Sequence, residues 1–125
     1  MSPVVERPRE GDRCEISLMR HGGADVVSVA GEFDGCSERL VRRVVDDSRQ
    51  VAQPQVVLDL SRVSFMDARA VGALVYCRRV LAARSAVMVL VCPGGPARRL
   101  LTVVGLDRVW TIHSTREQAL RAVVR

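Results

Sequence analysis

VVLDLSRVSFMDARAVGAL, residues 56–74, holds a strand, a turn and the start of a helix. VVLDL (residues 56–60) is a short, apolar, β-branched run, the pattern of a strand buried on both faces. Residues 67–84 then read as a helix. Ala70, Val71, Leu74, Cys77 and Leu81 recur at helical spacing, and Asp67 stands where its carboxylate can accept from free N–H groups of the first turn. Residues 64–67 form the turn between them. A buried strand that hands over to a helix is the unit from which parallel sheets are built.

The unit recurs outward in both directions. AVMVLVC (residues 86–92) is a second buried strand, stopped by the PGGP of residues 93–96. Residues 97–104 follow as a short helix, with Pro96 near its start and Gly105 at its C-cap. Residues 108–112 read as a strand. Residues 114–125 close the chain as a helix, with Ser114 and Glu117 as a capping box and Leu120, Val123 and Val124 facing inward. Upstream, residues 37–52 are helical: Leu40, Val41, Val44, Val45 and Val51 share a face, Glu38/Arg42, Arg42/Asp46 and Arg43/Asp47 stand four apart on the wet side, and Pro54 marks the end. Before it, two β-rich stretches at residues 15–21 and 26–33 flank GGAD (residues 22–25), a hairpin signal. Residues 1–12, polar and proline-bearing, read as a flexible arm, and residues 13–125 as one domain. The order is β-β-α-β-α-β-α-β-α, an α/β chain with one layer of sheet covered by helices.

At 125 residues and 48% apolar composition the chain can bury a core of its own. Its apolar runs fall far short of the ~20 residues of a membrane-crossing helix, and residues 1–12 carry no apolar signal segment, so a cytoplasmic protein is expected. The net charge is +5, with 19 arginines and no lysine. The arginines are scattered in pairs and aromatic residues amount to 3%, which suits a solvated surface better than a nucleic-acid groove. Cys14, Cys36, Cys77 and Cys92 include no CxxC and no histidine at ligand spacing, so no metal or cofactor is implied. Four reduced thiols are expected, with Cys77 and Cys92 packed as small hydrophobes; a redox pair is the alternative, with its connectivity open.

No catalytic constellation is present. His21 lies on the hairpin and His113 in a turn, and no G-x-S-x-G elbow, P-loop or GxGxxG occurs. In open parallel sheets, ligands and partners meet the carboxyl ends of the strands. That rule brings Asp34 and Asp67 to one rim, although capping of the helices that follow would also account for both. On the helix from Asp67, the stripe opposite the apolar side reads Arg69, Gly72, Tyr76, Arg79, Ala83, a mixture of arginine, small residues and the chain's one tyrosine. Such residue types belong to protein interfaces, and an ordinary exposed face is the plain alternative.

GEFD (residues 31–34), the stretch 56–74 and the tail LLTVVGLDRVWTIHSTREQAL (residues 100–120) resemble the STAS domain family of bacterial anti-sigma factor antagonists, in one register over residues 14–124. The resemblance implies a mixed sheet, an antiparallel hairpin followed by parallel strands, with four crossover or covering helices. It implies binding of an anti-sigma factor that is also a serine-protein kinase, which frees a sigma factor for transcription. In the family, phosphorylation of a serine just after the FMD aspartate blocks that binding. Here Ala68 and Arg69 follow Asp67, and neither accepts phosphate, so partner binding is expected without that switch. The expected partner-binding residues are Asp34, Asp67, Ala68, Arg69, Gly72, Tyr76 and Arg79. A STAS subunit of a larger assembly, such as a lipid-transport ATPase or a signalling scaffold, and a module with weak nucleotide or small-ligand binding are the alternatives.

Overall fold

In the computed structural model the described residues are 4–6, 13–34, 36–48 and 55–123. The central unit forms as its sequence dictates and then extends further. β4 (Gln55–Met66) is buried without a break from Val56 to Leu60, and α2 (Ala68–Ala82) starts directly beyond it, with Asp67 as its N-cap. The turn expected at residues 64–67 is strand as far as Met66. β4 keeps its parallel pairing with β3 (Ala24–Phe33), from Asp25 opposite Val56 to Phe33 opposite Met66. Two register shifts, between Ser28 and Ala30 and between Gly31 and Glu32, each place an extra residue in β4. Such bulges break the two-residue alternation, so the polar second half of this strand looks like loop when read in sequence.

β2 (Cys14–His21) pairs antiparallel with β3 across Gly22 and Gly23, at φ +56° and +88°. Two consecutive residues at positive φ make the primed turn that matches the twist of a two-residue hairpin, so the loop is two residues rather than the four of GGAD. β5 (Val87–Val91) runs parallel to β4, and β6 (Ile112–His113) parallel to β5. The strand expected at residues 108–112 is thereby corrected. Leu106–Arg108 form a 3-10 turn after Gly105 (φ +82°), Trp110 is buried with Nε1 donating to the Met88 carbonyl at 2.8 Å, and the strand is confined to residues 112–113. β1 (Val4–Glu6) pairs antiparallel with the free edge of β2. These three residues of the arm are therefore strand, because the outer edge of β2 offers unpaired backbone groups. The sheet is six-stranded in the order β1-β2-β3-β4-β5-β6.

The central strands, β4 as far as Leu60 and β5 from Met88, are buried on both faces because helices lie on both. One face carries the larger core: Ile16, Val27, Val29, Phe33, Leu58, Leu60 and Leu90 pack with Leu40 and Val44 of α1 (Ser37–Ser48), Leu74 and Leu81 of α2, and Ala97 and Leu101 of α3 (Gly95–Val103). The other is smaller: Ala24, Val26, Val57, Val89 and Val91 pack with Ala119 and Val123 of α4 (Arg116–Val123). The cap of α4 falls one residue later than expected. Thr115 Oγ1 accepts from the Gln118 N–H and Gln118 Oε1 accepts from the Ser114 N–H, both at 3.1 Å, so Thr115 and Gln118 do the work expected of Ser114 and Glu117. The helical reading of residues 49–52, and that of Val124, lie outside the described residues.

Candidate functional site

Phe33 pairs with Met66, so Asp34 and Asp67 are each the first residue beyond the last paired position at the carboxyl edge of the sheet. Asp67 is half-buried and extended; its Oδ1 accepts the Ala70 N–H at 3.0 Å, which makes it a cap of the first turn. Its Oδ2 lies 3.6 Å from Arg69 Nε. That contact offsets the cation that Arg69 brings to the positive end of the helix dipole. Ala68 and Arg69 are both exposed, in the first turn.

The face of α2 divides as the wheel predicts. Ala70, Leu74, Cys77 and Leu81 are buried and Val71 half-buried, whereas Arg69, Gly72, Tyr76, Arg79 and Ala83 are all exposed. Gly72 is the informative member. A Cβ built there meets nothing within 4 Å, so the fold itself has no use for a glycine at this point. Glycine inside a helix costs about 1 kcal/mol relative to alanine. Ala73, which the wheel left unassigned, is buried against α1 and with Ser37, Glu38, Val41, Arg42 and Arg69 lines a shallow groove between the two helices.

Phe65 is the residue that sequence reasoning passed over. It is 46% exposed near the end of β4, two residues before Asp67. Its residue type in the expected turn carried no sign of its direction, because the bulges remove the alternation by which a phenylalanine flanked by Ser64 and Met66 could have been read as facing out. The rim thus joins one aromatic anchor, an acidic pair and the arginine-bearing face of α2.

A second polar cluster lies on the α4 side of the sheet. Asp59, 4% exposed, accepts from the Ser61 N–H (2.9 Å) and hydroxyl (2.6 Å) through Oδ1, and from Arg116 Nε (3.0 Å) and Nη2 (2.8 Å) through Oδ2; Arg116 Nη2 also donates to Ser28 Oγ at 2.8 Å. An acid in the middle of VVLDL is the signal that a buried cation must meet it. Its cleft, about 400 Å³, also exposes Glu15, Ser17 and Arg62. Every Asp59 oxygen is occupied, so the pair ties α4 to β4.

The cysteines differ from expectation. Cys14 and Cys36, both buried, are joined by a disulfide with Cα atoms 6.1 Å apart, which links the start of β2 to the residue before α1; four reduced thiols are thereby corrected to two. Cys77 and Cys92 are free and buried. Burial pushes the Cys77 thiol up from 9.0 to about 12 and also raises Cys92, against a nearby Arg98 that pulls it down. Since the thiolate is the reactive form, neither thiol should be alkylated by iodoacetamide at pH 8 in the native protein, and both should react once it is unfolded; labelling of native Cys77 would contradict its burial. Between pH 9 and 12 the folded state keeps the Cys77 proton that the unfolded state loses, so stability should fall as pH rises through that window. His21 is exposed at the hairpin, and His113 belongs to β6 rather than to a turn. Among the described residues no three of His, Cys, Asp and Glu are grouped as metal ligands, and no helix is long and apolar enough to cross a membrane.

A family model described as the STAS domain matches residues 15–119. An anti-sigma F factor antagonist of Paenibacillus polymyxa is 27% identical over 107 residues, which cover 85% of this chain and 92% of that protein. The crystal structure of an anti-sigma factor antagonist from Mycobacterium paratuberculosis superposes with a TM-score of 0.76 at 27% identity, over 88% of this chain and 93% of that one. The unphosphorylated form of the anti-sigma factor antagonist SpoIIAA superposes with a TM-score of 0.71 at 26% identity, over 88% and 99% of the two chains.

Proposed function

The chain belongs to the STAS domain family, and from that premise we propose that it is an anti-sigma factor antagonist, a cytoplasmic regulator that works by protein–protein contact rather than by catalysis. The partner is an anti-sigma factor of the serine-kinase type, and its capture releases a sigma factor. The observation that carries the reading is the outer face of α2. The inner side of that helix is complete without Arg69, Gly72, Tyr76 and Arg79, and Gly72 has open space around it. A helix that keeps a costly glycine on a bare surface is suited to close approach by another backbone. Phe65 and Tyr76, 46% and 51% exposed, supply aromatic anchors, Phe65 near the end of β4 and Tyr76 between Arg69 and Arg79 along α2. Asp34 and Asp67 close the rim. The similarity to antagonists extends along nearly the whole chain, which favours this reading over a subunit of a transport or scaffold assembly or a nucleotide-binding module.

Control by phosphate at the start of α2 is not part of the proposal, because Ala68 and Arg69 have no hydroxyl. Incubation with a kinase-type anti-sigma factor and ATP should leave residues 61–69 unmodified and the complex intact. Phosphate incorporated there with loss of binding would refute this.

Titration calorimetry against the anti-sigma factors of the source organism tests the contact itself. Wild-type protein should bind one of them stoichiometrically. Gly72→Gln should raise thermal stability, by about 0.5–1 kcal/mol from helix propensity, and still weaken the complex at least tenfold. Arg69→Glu should weaken it by a similar factor and leave stability unchanged. Unaltered binding by both variants would place the contact elsewhere.

A further inference from the structure

The segment TVVGLDRV (residues 102–109) leaves three valines in water. Val103 is 81% exposed, the most exposed large apolar side chain among the described residues, and Val104 and Val109 are 49% and 59% exposed. They belong to one compact segment, in which Gly105 turns the chain back at φ +82° and the turn of Leu106–Arg108 closes with the Val109 N–H donating to the Leu106 carbonyl at 3.3 Å. α3 has already spent its apolar side: Ala97 and Leu101, four apart, are buried, while Arg99 and Val103, four apart on the other side, face out. Isolated exposed valines are common, but three within seven residues of one compact segment form an apolar surface.

The rim of the patch is basic and fixed. Arg78 of α2 reaches across to it, Nη2 donating to the Val109 carbonyl at 3.2 Å with its guanidinium 5.6 Å from the centre of the Trp110 ring. Arg99 and Arg108 are exposed beside the valines, against one acid, Asp107. Arg78 lies ten residues into α2, about 15 Å along the helix from its first turn. Val109, held by Arg78, is therefore remote from the first turn of α2, while Arg79 at the far end of the α2 face adjoins Arg78.

We propose that this α3-turn surface is a second protein-docking site, whose occupant is an acidic amphipathic segment of another protein. Its aliphatic side chains would cover Val103, Val104 and Val109 and its carboxylates would meet Arg78, Arg99 and Arg108. A second copy of this chain does not fit: a two-fold contact would set the three arginines against their own images in a molecule of net charge +5. A membrane does not fit either, since the patch offers no aromatic or long aliphatic side chain to insert and places Asp107 at the surface.

The test uses isotope-labelled full-length protein and a synthetic amphipathic helix of leucine, glutamate and alanine, with a lysine-for-glutamate peptide as control. Saturable amide shifts should be confined to Arg78, Arg99 and residues 102–110, and should weaken at least tenfold in Val103→Ser/Val109→Ser and with the lysine peptide. Both positions are exposed, so the variant should keep its melting temperature. Gly72→Gln should bind the peptide like wild type, which separates this site from the α2 rim. Absence of a saturable shift, or equal binding by the lysine peptide, would overturn the proposal. Valine-dependent dimerisation in sedimentation, or valine-dependent binding to phosphatidylserine vesicles, would overturn it in favour of a second copy or a membrane.

Discussion

Gly31→Ala is expected to lower the unfolding free energy by about 3–4 kcal/mol, the largest single-residue loss foreseen in this protein. Gly31 has φ +96°, and a Cβ at this position would collide with the Arg13 carbonyl oxygen. Left-handed backbone costs an L-residue about 1–2 kcal/mol, and forced insertion of a methyl into a packed site about 1–3 kcal/mol more. The neighbour cannot retreat cheaply. Arg13 O accepts the Glu32 N–H at 3.0 Å, Cys14 is the ladder partner of Gly31, and Cys14 is tied to Cys36 by the disulfide. Three constraints thus hold one carbonyl where only a hydrogen can pass. Urea denaturation monitored by circular dichroism measures the change. A loss below about 1 kcal/mol would mean that the end of the hairpin shifts freely, and that this part of GEFD is not the rigid support of Asp34.

Asp59→Ala is expected to cost about 2–3 kcal/mol. Its carboxylate accepts four hydrogen bonds, from the Ser61 N–H and hydroxyl and from two nitrogens of Arg116. Removing one partner of a fully buried pair costs about 3–5 kcal/mol, because the remaining charge is stranded. The Arg116 side chain is 38% exposed and can turn to water, so the lower figure applies. Arg116→Ala should cost less, and the double variant should be less damaged than the sum of the two, with a coupling of about 1–2 kcal/mol. Strict additivity in that cycle would show that the pair does not hold α4 to the sheet. The α2 rim, on the other face, should retain its partner in every variant that still folds.

Most of the architecture could be read before any coordinates, because the signals for it are local. Helix α2 was legible to its cap: Asp67 with Ala70 three residues on, and apolar residues at spacings of three and four, act within a single turn. The split of α2 into a buried side and an exposed stripe followed from the same period, down to Gly72 and Arg79. The elements misread are those whose signals are weak or displaced. β4 runs six residues past Leu60, because bulges against β3 disguise its alternation. Trp110 looked like strand, yet its indole is held by the Met88 carbonyl, 22 residues earlier, which fixes residues 106–110 as a turn over the core.

Propensity, periodicity and capping settled from the amino-acid order that this is an α/β chain, where α2 begins, and which of its residues face water. Those effects act over a few residues and need no neighbour from elsewhere in the chain. Tertiary structure alone decided the rest: the Cys14–Cys36 link across 22 residues, the Asp59–Arg116 pair across 57, the exposure of Phe65 and the reach of Arg78 to Val109 across 31. Each depends on where distant segments are brought together in space, and linear order places no side chain against another that far along the chain.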